Sequence, residues 1–587
     1  MHEADTMFSN FSIIAHIGEN EQVLDKLKVE RDRGITGVEG QTATMFHDVK
    51  GQRHVLNLID TPGHVDFSWE VSRSLAACQG ALLLVDASQG VQAQSISVFH
   101  IAKERGLTII PVLNKVDLPA AQPERIAAQM ASTFGIDPSE CIAISAKTGL
   151  GVEEVLRAII ERIPPPKPSP EDAPLKALLF DSLYDRYRGV ISLLSVQQGV
   201  LRKGDKVVSH HTGKKYEVTE LGIMHPEESP ATGLFPGQVG YIACNMKESS
   251  EAHIGDTLYR VGQPVPPMPG FRPAKAMVFA GVFPVDNADF PKLEESIRRL
   301  MLTDRSISMQ RESSTALGQG CRLGFLGTLH MDVFRQRLED EYDANIIITA
   351  PTVPFKVVWK DGKEELVSNP TEFPDLEAQN YKIKEVQEPV VNASIIVPED
   401  YFGDMMDLCF SKRGTNVEHK YLDAGASESA RIMLTCTLPL SEIVTDFFDQ
   451  LKSRSSGFAS FDYEDAGYEA SDLCKMMFLL NAKPVDALAL IVHRSNVDTV
   501  GRAWVKKLHK VIPRQLFEVP IQAVIGKRVI ARETVSAYRA DVTAGLYGGH
   551  YERKLKHLVN QKEGKKRMKK VGKVDLPQEA FFDMLKK

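Results

Sequence analysis

Leu58-Ile59-Asp60-Thr61-Pro62-Gly63-His64 is the stretch whose reading decides the fold. The apolar residues Leu56, Leu58 and Ile59 lead into an acidic residue and then a Thr-Pro-Gly turn. That pattern predicts a strand ending in a tight loop, with Pro62 fixing φ and Gly63 free of a Cβ. A carboxylate at the C-terminal end of a strand, beside a glycine N–H that can be approached closely, suits a magnesium ion and a terminal phosphate. D-T-P-G alone is a weak signal, because surface turns share it. Three later apolar runs with polar ends strengthen it: 81–85 ends at Asp86, 109–113 in Asn114-Lys115-Val116-Asp117, and 142–144 in Ser145-Ala146-Lys147.

A chain of 587 residues divides into roughly four or five domains of about 100–200 residues each. With 43% apolar and 25% charged residues, it has the composition of an ordinary globular protein. The net charge of −7 is mild. The seven cysteines are scattered singly, without a C-x-x-C pair, so neither a zinc site nor a disulfide framework is indicated. No run approaches the roughly 18 apolar residues of a membrane span. The first residues, Met1-His2-Glu3-Ala4-Asp5, are acidic and lack arginine, unlike a matrix-targeting segment.

Residues 1–165 alternate apolar strands with helical patterns, which predicts βαβ units and a mostly parallel sheet. The run Ile163-Pro164-Pro165-Pro166-Lys167-Pro168 closes this part as a stiff linker. Short β-rich runs over 172–262, separated by Arg202-Lys203-Gly204-Asp205 and Phe235-Pro236-Gly237, predict a small β-barrel. Residues 272–352 read as a ferredoxin-like, split βαβ domain with helices over 291–303 and 331–342. A polar connection, 353–388, leads to a second such domain over 389–470. The last part, 471–587, starts β-like and ends in a basic tail.

In their order, D-T-P-G-H, N-K-x-D and S-A-K resemble the guanine-nucleotide motifs of GTPases. A carboxylate at Asp117 that accepts two N–H donors from guanine rejects adenine, which presents a different edge. Asn114 belongs to the same selection, Lys115 and Val116 lie along the base, and Ser145, Ala146 and Lys147 support the pocket through backbone N–H groups. Arg31-Asp32-Arg33-Gly34-Ile35-Thr36 would be the first switch, with Thr36 on Mg²⁺ and the γ-phosphate in the GTP state. Asp60 would be the second metal contact, and Thr61, Pro62 and Gly63 would line the phosphate side. His64 comes next, where a water-positioning catalytic residue belongs.

Longer matches narrow the resemblance. N-F-S-I-I-A-H-I (10–17), E-R-D-R-G-I-T (30–36), D-T-P-G-H-V-D-F-S-W-E-V (60–71) and P-V-L-N-K-V-D-L-P-A-A (111–121) resemble the translational GTPases. Gly324-Phe325-Leu326-Gly327-Thr328-Leu329-His330-Met331, Val485-Asp486-Ala487-Leu488, Ile512-Pro513-Arg514-Gln515 and Glu563-Gly564-Lys565-Lys566-Arg567-Met568-Lys569 resemble LepA, also called elongation factor 4. The wording of 328–371 looks closest to the fungal mitochondrial members. The resemblance implies a ribosome-dependent GTPase using GTP and Mg²⁺ to assist mitochondrial protein synthesis, with a role in fidelity or back-translocation on stalled ribosomes. It also implies a monomer in the matrix, peripheral to the inner membrane, with the ribosome, ribosomal RNA and tRNA as partners. The large extra domain of the translocating factor has no room in 353–388.

Two features qualify that expectation. The family's first strand should run into A-H-I-D-H-G-K-S-T, whereas Ala15-His16-Ile17 here goes straight to Gly18-Glu19-Asn20-Glu21. By the resemblance, roughly 30 residues are absent, and with them the backbone cradle, the phosphate lysine and the Mg²⁺ hydroxyl. We read this as an exon lost in reading the gene; the alternative is a ribosome binder that does not hydrolyse GTP. Val23, Leu24 and Leu27, with Asn20 as N-cap, would partly cover the sheet face left bare. The second feature is the tail: Lys565, Lys566, Arg567, Lys569 and Lys570 lie in a span whose one acid is Glu563, an electrostatic footprint for RNA phosphates.

Overall fold

The computed structural model describes residues 7–14, 27–33, 42–167, 169–170, 172–185, 188–225, 227–246, 251–271, 274–314, 317–379, 381–422, 430–538 and 551–571, with backbone alone at 7–14, 377–378, 553, 566–567 and 569–571. The junction of Ile17 with Gly18, the segment with Asn20, Val23 and Leu24, and Thr36 lie outside the described residues.

The first sheet contains β1 (Met7–Ile14), β2 (Thr42–Val49), β3 (Gln52–Thr61), β4 (Gly80–Asp86), β5 (Thr108–Asn114) and β6 (Ile142–Ala143), in the order β2-β3-β1-β4-β5-β6. All neighbours are parallel except β2 with β3. Its helices are α1 (Lys28–Arg33), α2 (Ser68–Leu75), α3 (Ala93–Glu104), α4 (Pro123–Phe134) and α5 (Val152–Arg162). Central parallel strands are covered on both faces and so read as unbroken apolar runs. Alternate residues then divide between the faces. Leu82, Leu84, Ile110 and Val112 cluster with Val155 and Ile159 of α5, while Leu83, Val85 and Leu113 cluster with Val71 of α2, Phe99 of α3 and Met130 of α4. Leu27 does not cover a sheet face; with Val29 it packs against Phe67 and Val333.

The second unit holds β7 (Lys176–Asp185), β8 (Gly189–Gln198), β9 (Leu201–Arg202), β10 (Lys206–Ser209), β11 (Lys215–Glu217), β12 (Glu220–His225), β13 (Glu227–Pro230), β14 (Gly233–Leu234), β15 (Val239–Ala243) and β16 (Thr257–Arg260). The expected β-barrel is not formed. The main sheet is open, in the order β11-β10-β16-β7-β8-β15-β12-β13, and β9 and β14 pair off separately. Among the described residues β11 pairs only with β10 and β13 only with β12. These edges are short and polar, Lys-Tyr-Glu and Glu-Glu-Ser-Pro, and Pro230 has no N–H to give. Charged, proline-ended edge strands resist further pairing, and closure needs both edges in register. The unit docks on the first through Ile59, Ala77 and Cys78, which cluster with Phe180, Ile191 and Tyr241. Beside them Arg73 of α2 forms a buried fork with Asp181 of β7 at 3.0 and 3.3 Å.

The third unit runs β17 (Val278–Pro284), α6 (Phe290–Thr303), β18 (Ser308–Ser314), β19 (Gly318–Phe325), α7 (Thr328–Tyr342) and β20 (Ile346–Ile348), in the antiparallel order β18-β19-β17-β20 of a split βαβ sandwich. The fourth contains β21 (Phe355–Trp359), β22 (Glu364–Val367), α8 (Leu376–Gln379), β23 (Ile383–Pro398), α9 (Phe402–Ser411), β24 (Thr415–Tyr421), β25 (Arg431–Pro439), α10 (Leu440–Arg454) and β26 (Ser460–Ala470). Its sheet is β22-β21-β23-β25-β24, with β26 also paired to β23. The stretch 353–388 is therefore more than a polar connection. Its β21–β22 hairpin extends this sheet and buries Val353, Phe355, Val357 and Phe373 in the same core as Val391 and Phe447. The alternation in Phe355-Lys356-Val357 is a strand signal that the charged run 360–365 obscures. The last unit holds β27 (Leu473–Leu480), β28 (Lys483–His493), α11 (Val497–Val511), β29 (Val519–Ile525), β30 (Arg528–Val535) and α12 (Tyr551–Val571), with sheet order β28-β27-β29-β30. Among the described residues no helix is long and apolar enough to cross a membrane.

In the fourth unit Glu388 is buried and receives both Nη groups of Arg413 at 2.6 and 2.9 Å. Burial pushes the Glu388 carboxyl up, but the Arg413 fork and its charge more than offset this and hold it below its ordinary 4.5. A carboxyl depressed by folding stabilises in full above its unfolded value, and that contribution is lost as pH falls through the folded one. Urea unfolding should therefore show stability falling below about pH 4.5, with that part of the profile flattened in Glu388→Gln. At neutral pH Glu388→Ala, which takes one of two carboxylate partners from a half-buried guanidinium that Glu442 still holds at 2.9 Å, should lose about 1.5–3 kcal/mol.

Candidate functional site

The parallel pairing brings the four predicted loops to one edge. Ile14 at the end of β1 lies beside Thr61 of β3 and Leu83 of β4, Asp86 beside Asn114, and Leu113 beside Ala143. This is the crevice outside the carboxyl ends of the strands, where open α/β sheets take ligands.

At one end, Asn114 is buried and its Oδ1 accepts two backbone N–H groups, from Lys115 at 2.7 Å and Ala146 at 3.0 Å. That side chain staples the N-K-V-D loop to the S-A-K loop. Val116 N–H adds a bond to the Ile144 carbonyl at 3.2 Å. Ser145 is fully buried, its Oγ accepting the Thr148 N–H at 3.2 Å. Lys115 has a left-handed backbone, φ 65°, a strain of about 1–3 kcal/mol for a residue with a Cβ that the surroundings must hold in place. Its ammonium reaches Asp86 Oδ2 at 3.2 Å. Burial pushes the Asp86 carboxyl up, but bonds from Ser88 and Lys115 leave it below its ordinary value. Asp117 and Lys147 are exposed, leaving the Asp117 carboxylate free to meet a ligand edge.

At the other end, Thr61 and Pro62 are buried, Asp60 half-buried and Gly63 exposed. Among the described residues no atom lies within 4 Å of where a Cβ at Gly63 would sit, so their packing does not demand glycine there. A ligand approaching the backbone would. His64 caps the turn Val65–Phe67, its Nδ1 accepting the Asp66 N–H at 3.2 Å. Its ring lies 6.4 Å from both Phe67 and Phe448. Of the two expected metal contacts only Asp60 is described. In the tail, Lys565 Nζ donates to the Tyr538 carbonyl at 2.8 Å; the side chains of Lys566, Arg567, Lys569 and Lys570 lie outside the described residues. The sequence marks Asp86 as the end of a strand without giving it a task, and Asp66 was passed over. An acid closing an apolar strand was the signal for the first; nothing local marked the second.

Comparison with known proteins finds four matched stretches. Residues 4–165 match the elongation factor Tu GTP binding domain, 189–259 elongation factor Tu domain 2, 385–477 the elongation factor G C-terminus, and 480–586 the GTP-binding protein LepA C-terminus. The mitochondrial translation factor GUF1 of Laccaria bicolor is 74% identical over 98% of this chain and 95% of its own length. The chain belongs to the GUF1/LepA family of translation GTPases. The human GUF1 protein is 50% identical over 98% of this chain and 89% of its own, and the Arabidopsis thaliana homologue 52% over 98% and 90%. A crystal structure from Thermus thermophilus shares the fold, with a TM-score of 0.56 at 16% identity over 79% of this chain and 97% of that one. The Laccaria alignment spans 599 positions, more than the 587 residues here, so that GUF1 protein carries residues inside the aligned span that this chain lacks.

For a GUF1/LepA chain the guanine end of the site fits the base of a nucleotide: an exposed carboxylate at Asp117 between two stapled loops. The phosphate end does not, since no G-x-x-x-x-G-K-[ST] occurs anywhere in the sequence. Asn114→Ala would strand two N–H groups and should destabilise the first unit by about 1–3 kcal/mol, measured by urea unfolding. Asp117→Ala, at an exposed position, should leave that midpoint unchanged.

Proposed function

We propose that this chain is organised as a ribosome-dependent translational GTPase of mitochondria, acting in the matrix as a fidelity factor that drives back-translocation on stalled ribosomes. The observation that carries this reading is the guanine end of the site, where Asn114 holds two loops together and leaves Asp117 exposed between them. Asp117 selects the base by accepting its N–H donors, and Lys115, braced on Asp86, lies along it. GTP, when bound, supplies the phosphoanhydride whose hydrolysis drives the switch. Asp60 and Thr36 are the residues that would hold Mg²⁺, and His64 the one that would orient water.

The absent phosphate loop favours a second reading for this chain as it stands: a ribosome binder without turnover. The grip on the β- and γ-phosphates comes mostly from the loop's backbone N–H groups and lysine, and an exposed base acceptor does not replace them. Calorimetry with GTP should accordingly show binding weaker than micromolar. Hydrolysis stimulated by mitochondrial ribosomes supports the first reading; ribosome binding without stimulation supports the second; no ribosome binding overturns both.

Ribosome contact is assigned to α12 and the tail beyond it, where α12 stands exposed on the last unit. Cations placed on RNA release counterions, so affinity falls with salt in proportion to the contacts made. Changing Lys565, Lys566, Lys569 and Lys570 together to alanine should weaken cosedimentation with ribosomes. The slope of log affinity against log salt should become shallower by up to about 0.7–0.9 per lost contact. An unchanged slope would make the tail a solvated segment.

A further inference from the structure

His64, its side chain 31% exposed, rests against neighbours that the first unit does not supply alone. Asp66, two residues on, is buried, and its Oδ2 accepts the Leu329 and His330 N–H groups at 2.8 and 3.4 Å, at the first turn of α7 in the third unit. Its Oδ1 accepts the Tyr463 hydroxyl from β26 of the fourth unit at 3.4 Å. A negative charge suits a helix N-terminus, whose first N–H groups lack partners. The approach is close enough that a Cβ on Gly327 would fall within 2.3 Å of the Asp66 carboxylate atoms. The His64 ring has its centroid 6.4 Å from those of Phe67 and of Phe448 on α10, and Lys452 Nζ stands 5.7 Å from the Phe448 ring. Asp462, beside Tyr463, is within electrostatic reach of His64 and hydrogen-bonded to Ser97 of α3.

The fourth unit is docked around this point by further bonds. Ser460 Oγ accepts the Ala93 N–H at 3.1 Å, the Phe461 carbonyl accepts Gln94 Nε2 at 2.8 Å, and Ser132 Oγ donates to the Leu422 carbonyl at 2.8 Å. Ala93, Ile396 and Leu422 form an apolar cluster across the same seam. The docking face of the fourth unit therefore also supplies one of the two walls, Phe448, against which His64 rests.

We propose that Phe448, Tyr463 and Asp66 are positioning residues that park His64. Docking of the fourth unit holds the imidazole and its loop in one arrangement, and undocking frees them. This rests on the reading of His64 as the water-orienting group, because only then does parking it restrain the reaction. The physical basis is that the two walls are separate parts of the chain. His64 keeps Phe67 and the Asp66 N–H whether or not the fourth unit is docked, but keeps Phe448 only while it is.

The test uses the full chain without nucleotide or ribosomes. Diethyl pyrocarbonate acylates accessible imidazoles, and mass spectrometry reads each histidine separately. In Phe448→Ala the His64 acylation rate should rise severalfold while exposed His211 keeps its rate. Phe448→Tyr, which keeps a ring at that position, should restore protection. Tyr463→Phe retains the aromatic body and removes only the hydroxyl. It should speed hydrogen exchange over 61–75 and 327–331 together, because one carboxylate joins those segments. A His64 rate unchanged in Phe448→Ala, or exchange in Tyr463→Phe equal to that of the parent at both segments, would overturn the proposal. A change in every histidine together would equally overturn it, as general loosening. If ribosomes fail to bind the parent chain, the translation reading falls while the labelling result stands, so the two failures are distinct.

Discussion

Asp66 accepts α7's first N–H groups with one oxygen and the Tyr463 hydroxyl with the other, and Gly327 is what lets α7 come that close. Three units of the chain thus meet on one buried carboxylate. Such a group has to be satisfied on both oxygens, because an unpaired charge in that environment is strongly destabilising. The units are consequently held in a particular relation and not merely tethered. Phe67, next in sequence, fills the gap between Val29 and Val333 and stacks at a tilt on His330, whose Nδ1 accepts the Leu326 N–H and whose Nε2 faces Asp304 at 2.7 Å. The loop after β3 is therefore both the end of a nucleotide-site strand and the floor of an interface. Any rearrangement of Thr61 to Phe67 is felt by α7, and any movement of α7 by the loop.

A second joint repeats this arrangement one helix along. Arg73 of α2 meets Asp181 of β7, so the helix following the same loop is fixed to the second unit by a buried charge pair. Buried pairs contribute little net stability compared with an apolar packing of the same shape, but breaking one leaves a charge unpaired. Their effect is to make the relation between units all-or-none. A segment placed between two such joints is suited to switching between discrete arrangements rather than drifting.

Much of the first unit was legible because its signals are local. The apolar runs ending at Asp60, Asp86 and Asn114 follow from burial on both faces of a parallel sheet, and the order of D-T-P-G, N-K-x-D and S-A-K could be read directly. What could not be read depended on partners distant in sequence. Closure of β7–β16 into a barrel turns on whether β11 and β13 meet, and their Lys, Glu and Pro residues argue against it only once they are known to be the edges. The hairpin in 353–388 needs β23 beside it before Phe355 and Val357 have anything to pack on. Asn114 reads as a base contact, and that its Oδ1 also joins two loops by accepting the Lys115 and Ala146 N–H groups could not be read without the second loop beside it. Asp66 had no local signal, since its partners lie more than 250 residues away.

The two halves of the nucleotide site also differ in what holds them up. On the guanine side every support is internal to that side: Asn114 on Lys115 and Ala146, Lys115 on Asp86, Asp86 on Ser88, Ser145 on Thr148 and Leu150. None of these bonds runs to β1. A chain that lacks the phosphate loop can therefore keep a formed base pocket, strained Lys115 backbone included. On the phosphate side the logic reverses. Gly63 is open, with no atom of the described residues where a Cβ would go, and the loop from His64 onward is held by the third and fourth units. Among the described residues that loop is gripped through the bonds of Asp66 to α7 and Tyr463 and by Phe448 beside His64, so docking of the third and fourth units sets its arrangement.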